Sequence, residues 1–228
     1  LTGLQDAVVI LDEPQIMDEG VWFPFLHVAE ESAKSYNTVF LFVSATMPPL
    51  EPGVDMRIID LTPHEASSYP NRYRILIEDQ PWDETKLVEV INQARYSTSQ
   101  LAVIMNTIRD STYIYQALKR SGHYNGQMFH LHGAMTPLHK RKQIEAIRER
   151  LREGSPTCVV STQIIEAGVD LSFQRVYRAL PIFPSLAQAA GRVNRHAIED
   201  SPGELLVFPF MRDGEHDTRR WIYRNPVF

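Results

Sequence analysis

The run Thr157-Cys158-Val159-Val160-Ser161-Thr162-Gln163-Ile164-Ile165-Glu166-Ala167-Gly168-Val169-Asp170 decides the reading of the fold. Thr157 to Val160 reads as a strand buried on both faces, and polar groups follow at its carboxyl end. A second stretch follows closely: Gln188-Ala189-Ala190-Gly191-Arg192-Val193-Asn194-Arg195. Its two arginines stand three apart, a spacing that on a helix puts both on one face. In an open parallel sheet, ligands bind at the carboxyl ends of strands. Arginine stays cationic and forks onto oxygens, so together the two stretches point to phosphate and nucleic-acid chemistry.

The same strand-then-polar pattern opens the chain. Ala7-Val8-Val9-Ile10-Leu11 is an unbroken apolar run ending in Asp12-Glu13, as expected for a strand buried on both faces. Two adjacent carboxylates at a strand end are costly if buried alone, and their natural partner is a hard cation. Asp12 suits Mg²⁺, and Glu13 suits the orientation or deprotonation of a water. Acid pairs are also common on surfaces, so the position of this pair, not its composition, carries the reading. Gly20 to Tyr36 is the expected crossover helix, interrupted early by Pro24. Val39 to Val43 is a second buried strand, ending in Ser44-Ala45-Thr46.

Met56 to Leu61 suits one more strand, and prolines 48, 49, 52, 63 and 70 mark a linker. The expected organisation is a first unit over 1–66, a linker over 67–71 and a second unit over 72–228. The second unit reads as a strand over Arg72–Glu78, a helix over Trp82–Arg95 and a strand over Leu101–Met105. A helix capped by Asp110 then stops at Gly122, and a short strand covers Met128–Leu131. Thr136-Pro137 opens a helix with the buried stripe Ile144, Ile147 and Leu151, ending at Gly154. After the strand before Thr162 come a strand over Arg175–Leu180, a helix from Ser185 to about Asn194 and a strand over Glu204–Phe208. Strand and helix alternate throughout, so the class is α/β with a mostly parallel sheet.

The totals narrow the function. A formal net charge of −5 argues against coating nucleic acid by bulk electrostatics. Yet Thr107 to Arg152 carries nine Lys or Arg against three acids, so cationic surface is concentrated there. Arg148 to Arg152 reads as a solvated face with intrahelical ion pairs, whereas Lys140, Arg141 and Lys142 precede the acids and suit phosphate. Cys158, the single cysteine, reads as a packed core thiol compatible with a reducing cytosol. His130 and His132 lack further clustered ligands and read as strand-end packing; His216-Asp217 reads as surface; Trp22, Trp82 and Trp221 read as packing residues.

Four segments resemble, in order and spacing, motifs II, III, V and VI of superfamily 2 helicases. They are Asp12-Glu13-Pro14-Gln15, Ser44-Ala45-Thr46, Thr162-Gln163-x-x-Glu166-x-x-x-Asp170 and Gln188-x-x-Gly191-Arg192-x-x-Arg195. The texture of Asn106-Thr107, Leu131-His132-Gly133 and Gly191-Arg192-Val193-Asn194-Arg195-His196 is similar to the helicase part of the CRISPR-associated helicase-nuclease of type I systems. That resemblance implies two RecA-like lobes, the first present in part, that clamp ATP between them and draw single-stranded DNA across their top. It implies Mg²⁺ on Asp12, water activation by Glu13, coupling through Gln15, Ser44 and Thr46, and arginine fingers at Arg192 and Arg195. It places Gly168, Asp170 and Gln188 near the nucleotide, and Thr107, Arg109, Thr162 and Gln163 on the nucleic-acid backbone. The implied partners are single-stranded DNA, the CRISPR effector complex and the remainder of a longer helicase-nuclease.

Three departures qualify the resemblance. No Gly-Lys-Ser or Gly-Lys-Thr occurs, so the phosphate-cradling loop and its lysine are absent from the chain, which by itself is expected not to hydrolyse ATP. Gln15 stands where many relatives carry His, and Ala189 where Arg is common. A non-catalytic DNA-binding or docking fragment, or another superfamily 2 repair or RNA helicase, are the alternative readings.

Overall fold

The computed structural model describes residues 2–17, 19–44, 47–48, 57–61, 72–94, 97–122, 127–166, 168–195, 201–213 and 216–222. The chain divides into two compact units, Leu1–Ser68 and Tyr69–Phe228. The expected linker over 67–71, Thr46 and His196 lie outside the described residues.

In the first unit, strand β1 (Val8–Asp12) pairs in parallel with β2 (Val39–Val43), Val8 opposite Val39 and Asp12 opposite Val43. Helix α1 (Glu19–Tyr36) links them. Trp22, Leu26 and Ala29 recur at helical spacing and are buried. Edge-to-face contacts join α1 to the sheet: Trp22 meets Phe42 at 5.7 Å and Phe25 meets Phe40 at 6.0 Å between ring centres. The expected interruption at Pro24 does not occur, since α1 runs through it. So near the helix start the ring removes one intrahelical bond, and the buried face on both sides of it holds the helix together.

The strands of this unit are not buried on both faces, contrary to the sequence reading. Val8 and Ile10 are each 65% exposed, and Val39 and Val43 also face outward. Helix α1 covers one face, and among the described residues nothing covers the other. Residues 57–61 form no strand, and Ile58, Ile59 and Leu61 are exposed, so apolar composition there has no strand partner to pair with.

The second unit is a six-stranded parallel sheet in the order β3-β8-β7-β4-β6-β5. Its strands are β3 (Tyr73–Ile77), β4 (Gln100–Ile104), β5 (Met128–Leu131), β6 (Thr157–Ser161), β7 (Arg175–Ala179) and β8 (Gly203–Phe208). Its helices are α2 (Glu84–Ala94), α3 (Ile108–Ser121), α4 (Pro137–Arg152) and α5 (Phe183–Ala190). A small hairpin, β9 (Met211–Arg212) and β10 (His216–Asp217), precedes the short α6 (Arg219–Ile222).

Every residue of β4 and β6 is buried. Successive side chains on a strand point to opposite faces, which splits the core in two. Leu101, Val103, Cys158 and Val160 pack with Leu87, Ile91, Ile114 and Leu118 from α2 and α3. Ala102, Ile104 and Val159 pack with Ile147 of α4 and Ala189 of α5 on the other face. Each fully buried Leu, Ile or Val contributes about 1.5–3 kcal/mol relative to exposure, so this double layer is where the stability lies.

The boundaries follow local chemistry. Thr136 caps α4 by accepting from the His139 N–H, and Gly122 and Gly154, at φ 68° and 69°, take the left-handed turns after α3 and α4. Helix α2 begins at Glu84, not Trp82: Asp83 Oδ1 accepts from the Lys86 N–H, while Trp82 bridges to Phe210 and stacks on Phe208 at 4.8 Å. Helix α3 is capped by Thr107, whose Oγ1 accepts from the Asp110 N–H at 3.0 Å, so Asp110 is the third helical residue and not the cap. Among the described residues no helix is long and apolar enough to cross a membrane.

Candidate functional site

In the first unit the candidate residues sit at the carboxyl ends of β1 and β2. Glu13 follows β1 with φ 55° and ψ 51°, a left-handed backbone unusual for a residue with a side chain. Its N–H donates to the Val43 carbonyl at 2.8 Å, tying the two strand exits together. Gln15 Nε2 donates to Glu13 Oε2, and Ser44 Oγ donates to Gln15 Oε1 at 2.5 Å. One amide therefore links the carboxylate after β1 to the hydroxyl after β2. Asp12 is exposed beside this chain and open to a cation. Oxygen donors of this kind fit Mg²⁺ held mainly through water.

The second unit gathers its candidates at two places. At the carboxyl end of β4, Thr107 Oγ1 donates to Asp110 Oδ2 at 2.5 Å and accepts from the Asp110 N–H. It also accepts from Arg212 Nη2 at 3.0 Å, while Arg212 Nε donates to Asp110 Oδ1 at 2.7 Å. A hydroxyl has one proton and two lone pairs, so that of Thr107 is fully engaged in the helix cap. Arg109, next along the exposed start of α3, is the residue there that offers charge outward. Thr162 is buried with its N–H on the Leu131 carbonyl at 3.1 Å, and Gln163 is half-exposed.

At the other place, the loop after β6 meets the segment after α5. Helix α5 ends at Ala190, so Arg192 and Arg195 do not share a helix face as their spacing suggested. Gly191 leads into a turn in which the Asn194 N–H donates to the Phe173 carbonyl and the Phe173 N–H to the Arg192 carbonyl. This bridging to the strand β7 approach unwinds the helix and sends the two arginines different ways. Arg192 is buried, and its Nη2 donates to the Glu166 carbonyl at 2.6 Å and its Nη1 to the Val169 carbonyl. It clamps the loop that carries Gly168, an exposed glycine at φ 70°. Arg195 is half-buried and faces exposed Asp170, Nε to Oδ1 at 3.4 Å. Gln188 is half-buried on α5.

Beneath this loop lies a network that sequence reasoning missed. Glu166 is 3% exposed and Arg178 0%, with Arg178 Nε 2.7 Å from Glu166 Oε1. Arg178 Nη2 donates to Ser185 Oγ at 2.9 Å, and Ser185 Oγ donates onward to Glu166 Oε2. Arg178 Nη1 donates to Asn106 Oδ1 at 2.6 Å and to the Ala179 carbonyl at 2.8 Å. Burial pushes the Glu166 carboxyl above the usual carboxylate range, and the Arg178 guanidinium, Ser185 and Arg192 oppose that push. The available signal was a lone arginine inside the apolar strand Val176-Tyr177-Arg178-Ala179, which demanded a buried partner.

The cationic surface is only partly as expected. On α4, Arg141 pairs with Glu145 at 3.0 Å, exposed. Arg148 and Arg152 make no intrahelical ion pair among the described residues; they line a cavity of about 410 Å³ with Ser172, Gln174, Asn194 and Asp170. His130 and His132 lie 4.7 Å apart with Tyr115 stacked on His130, and no group of three metal-binding side chains occurs among the described residues. His216 is exposed, and Asp217 pairs with Arg219 at 2.7 Å.

Residues 97–198 match the family model described as CRISPR-associated nuclease/helicase Cas3, C-terminal. The CRISPR-associated nuclease/helicase Cas3 of Haloferax volcanii is 43% identical over 104 residues, covering 42% of this chain and 11% of that protein. The crystal structure of T. fusca Cas3-ATP has a similar fold, at TM-score 0.67 and 17% identity, over 96% of this chain and 31% of that one. A CRISPR RNA-guided surveillance complex in a pre-nicking state contains a chain with TM-score 0.70 and 16% identity, over 94% of this chain and 33% of that one. The chain spans between 11% and 28% of the length of the curated relatives it matches. The matched residues 97–198 and the RecA-like parallel sheet agree: the second unit is similar in sequence and in fold to the C-terminal part of CRISPR-associated nuclease/helicase Cas3 proteins.

Proposed function

We propose that this chain is part of an ATP-driven motor that moves along single-stranded DNA in CRISPR interference, within a longer helicase-nuclease that works with an RNA-guided effector complex. The observation that carries the proposal is the Glu13–Gln15–Ser44 chain at the carboxyl ends of β1 and β2. A carboxylate fixed by an amide, itself fixed by the next strand's exit, suits a water-activating group whose state is passed on to its neighbours. The family match and the T. fusca Cas3-ATP fold support a nucleotide as the ligand.

Within this reading Asp12 would hold Mg²⁺, which would supply positive charge to offset the negative charge of the phosphates. Glu13 orients the attacking water and accepts its proton at the carboxylate. Gln15 keeps that carboxylate aimed, and Ser44 and Thr46 register its movement. In the second unit, Arg195, half-buried and paired with Asp170, is the guanidinium assigned to a phosphate, with Arg192 shaping the loop that holds Gly168 and Asp170, and Gln188 of α5 assigned to the nucleotide. Phosphoryl transfer is mainly positioning and charge stabilisation, and these residues supply both. Arg109, Thr107, Thr162 and Gln163 line the DNA-facing strand ends, Thr107 through the helix start it caps. The phosphate loop and its lysine come from outside this chain.

The test is made in the full-length protein. Glu13→Gln is expected to lower DNA-stimulated ATP hydrolysis at least a hundredfold while nucleotide binding persists, on the scale of general-base removal. Wild-type turnover in that variant would sink the proposal.

A further inference from the structure

We propose that Arg178 is a positioning residue that couples the DNA-facing end of β4 to the nucleotide-facing loop 166–169; the inference rests on the motor reading above. Its guanidinium touches three segments at once: Asn106 at the exit of β4, Glu166 after β6 and Ser185 on α5. From Glu166 the chain of contacts continues through its carbonyl to Arg192, and from Arg192 to the Val169 carbonyl. Asn106 directly precedes Thr107 and stands three residues before Arg109, at the start of α3 assigned to the nucleic acid. The contact path between the two ligand-facing ends is therefore continuous through one side chain.

Stability does not account for such a group. A buried ion pair contributes little more than an apolar isostere of the same shape, because desolvation consumes most of its Coulomb energy. An apolar residue at position 178 would fill the strand as well, but it could not hold three segments in one register. Arginine can, because its five N–H donors form a rigid fork. Ser185 closes the arrangement by accepting from Arg178 and donating to Glu166. A displacement of Asn106 by a bound strand would change the Arg178–Glu166 contact and, through the Glu166 backbone, the clamp that Arg192 makes on the loop. Contacts alone are not coupling, so the test measures coupling itself.

In the full-length protein, the affinity for single-stranded DNA is measured with and without a non-hydrolysable ATP analogue, alongside thermal unfolding. The ratio of the two dissociation constants is the coupling factor. Arg178→Lys keeps the charge but loses the fork; the paired change Arg178→Met with Glu166→Gln removes both charges and leaves no buried ion alone. Either variant, when folded, is expected to bring the coupling factor down about tenfold toward unity while DNA affinity without nucleotide holds within about twofold, a change of about 1.4 kcal/mol in coupling. Ser185→Ala removes one link and buries no charge; it is expected to lose about half of that coupling energy, and it decides the matter if the Arg178 variants do not fold. A folded Arg178 variant, or Ser185→Ala, with the wild-type coupling factor would overturn the inference. If the wild-type protein shows no coupling and no DNA-stimulated hydrolysis, the motor reading itself fails.

Discussion

The chain contains the same sheet motif twice, built to different standards. In β1 and β2 apolar residues alternate between a face covered by α1 and a face left open, so Val8, Ile10, Val39 and Val43 are exposed. In β4 and β6 every residue on both faces is buried. The sequences are nearly equivalent: Val-Val-Ile-Leu and Leu-Ala-Val-Ile are both unbroken apolar runs. Burial is thus set by how many layers the surrounding chain supplies, and the strand itself dictates only that it is able to be buried. Parallel strands are stable when helices cover both faces, and only the second unit meets that condition within the described residues.

The comparison can be broken with matched substitutions, the largest effect first. Ile104→Ala, in the middle of the second core, is expected to cost about 2–5 kcal/mol in denaturant unfolding. Ile10→Ala, chemically identical on the open face of β1, is expected within about 0.5 kcal/mol of wild type. Equal costs would show that the two sheets are packed alike after all. A second pair concerns space. A Cβ at Gly203 would sit 2.5 Å from Val193 Cγ1 and 2.9 Å from the Gln174 carbonyl, whereas at Gly3 it would meet nothing within 4 Å. Gly203→Ala should destabilise by about 1–3 kcal/mol through overpacking, and Gly3→Ala should leave the melting temperature nearly unchanged.

The last contrast is pH-dependent and belongs to the second unit alone. Burial, and then the neighbouring His132, lower the His130 pKa to about 4 from 6.5. A depressed base favours the folded state while it stays neutral, so its contribution is intact above pH 6.5 and is lost as pH falls toward 4. The melting temperature should therefore decline across that window, and His130→Phe should flatten the decline. An unchanged profile in the variant would assign the loss to other groups.

These contrasts also explain what was legible beforehand. Strand β6 and the helix opened by Thr136-Pro137 were readable because their signals are local: an apolar run, a cap, a proline at the first turn. The length of α5 was not. Its end is imposed by Phe173, whose carbonyl accepts from the Asn194 N–H and whose N–H donates to the Arg192 carbonyl, about twenty residues later, pulling Arg192 out of the helix. The cap of α3 was misread because Thr107 and Asp110 satisfy each other, and only Arg212, a hundred residues on, fixes the orientation of both. Arg178 escaped for the same reason: Asn106 lies 72 positions away and Glu166 on another strand's exit. Polar networks that cross the sheet leave no period in the sequence. The acids at the end of β1 and the loop after β6 were visible because each lies directly after an apolar run.

Under the water-activating role proposed for Glu13, its left-handed backbone sets sturdiness against chemistry at a single position. Glycine would relieve a conformational penalty of roughly 1 kcal/mol there. A search for tougher versions of this fold would thus favour the one replacement that deletes the carboxylate, and a selection on heat resistance alone would drift toward a chain that holds its shape with nothing left to activate.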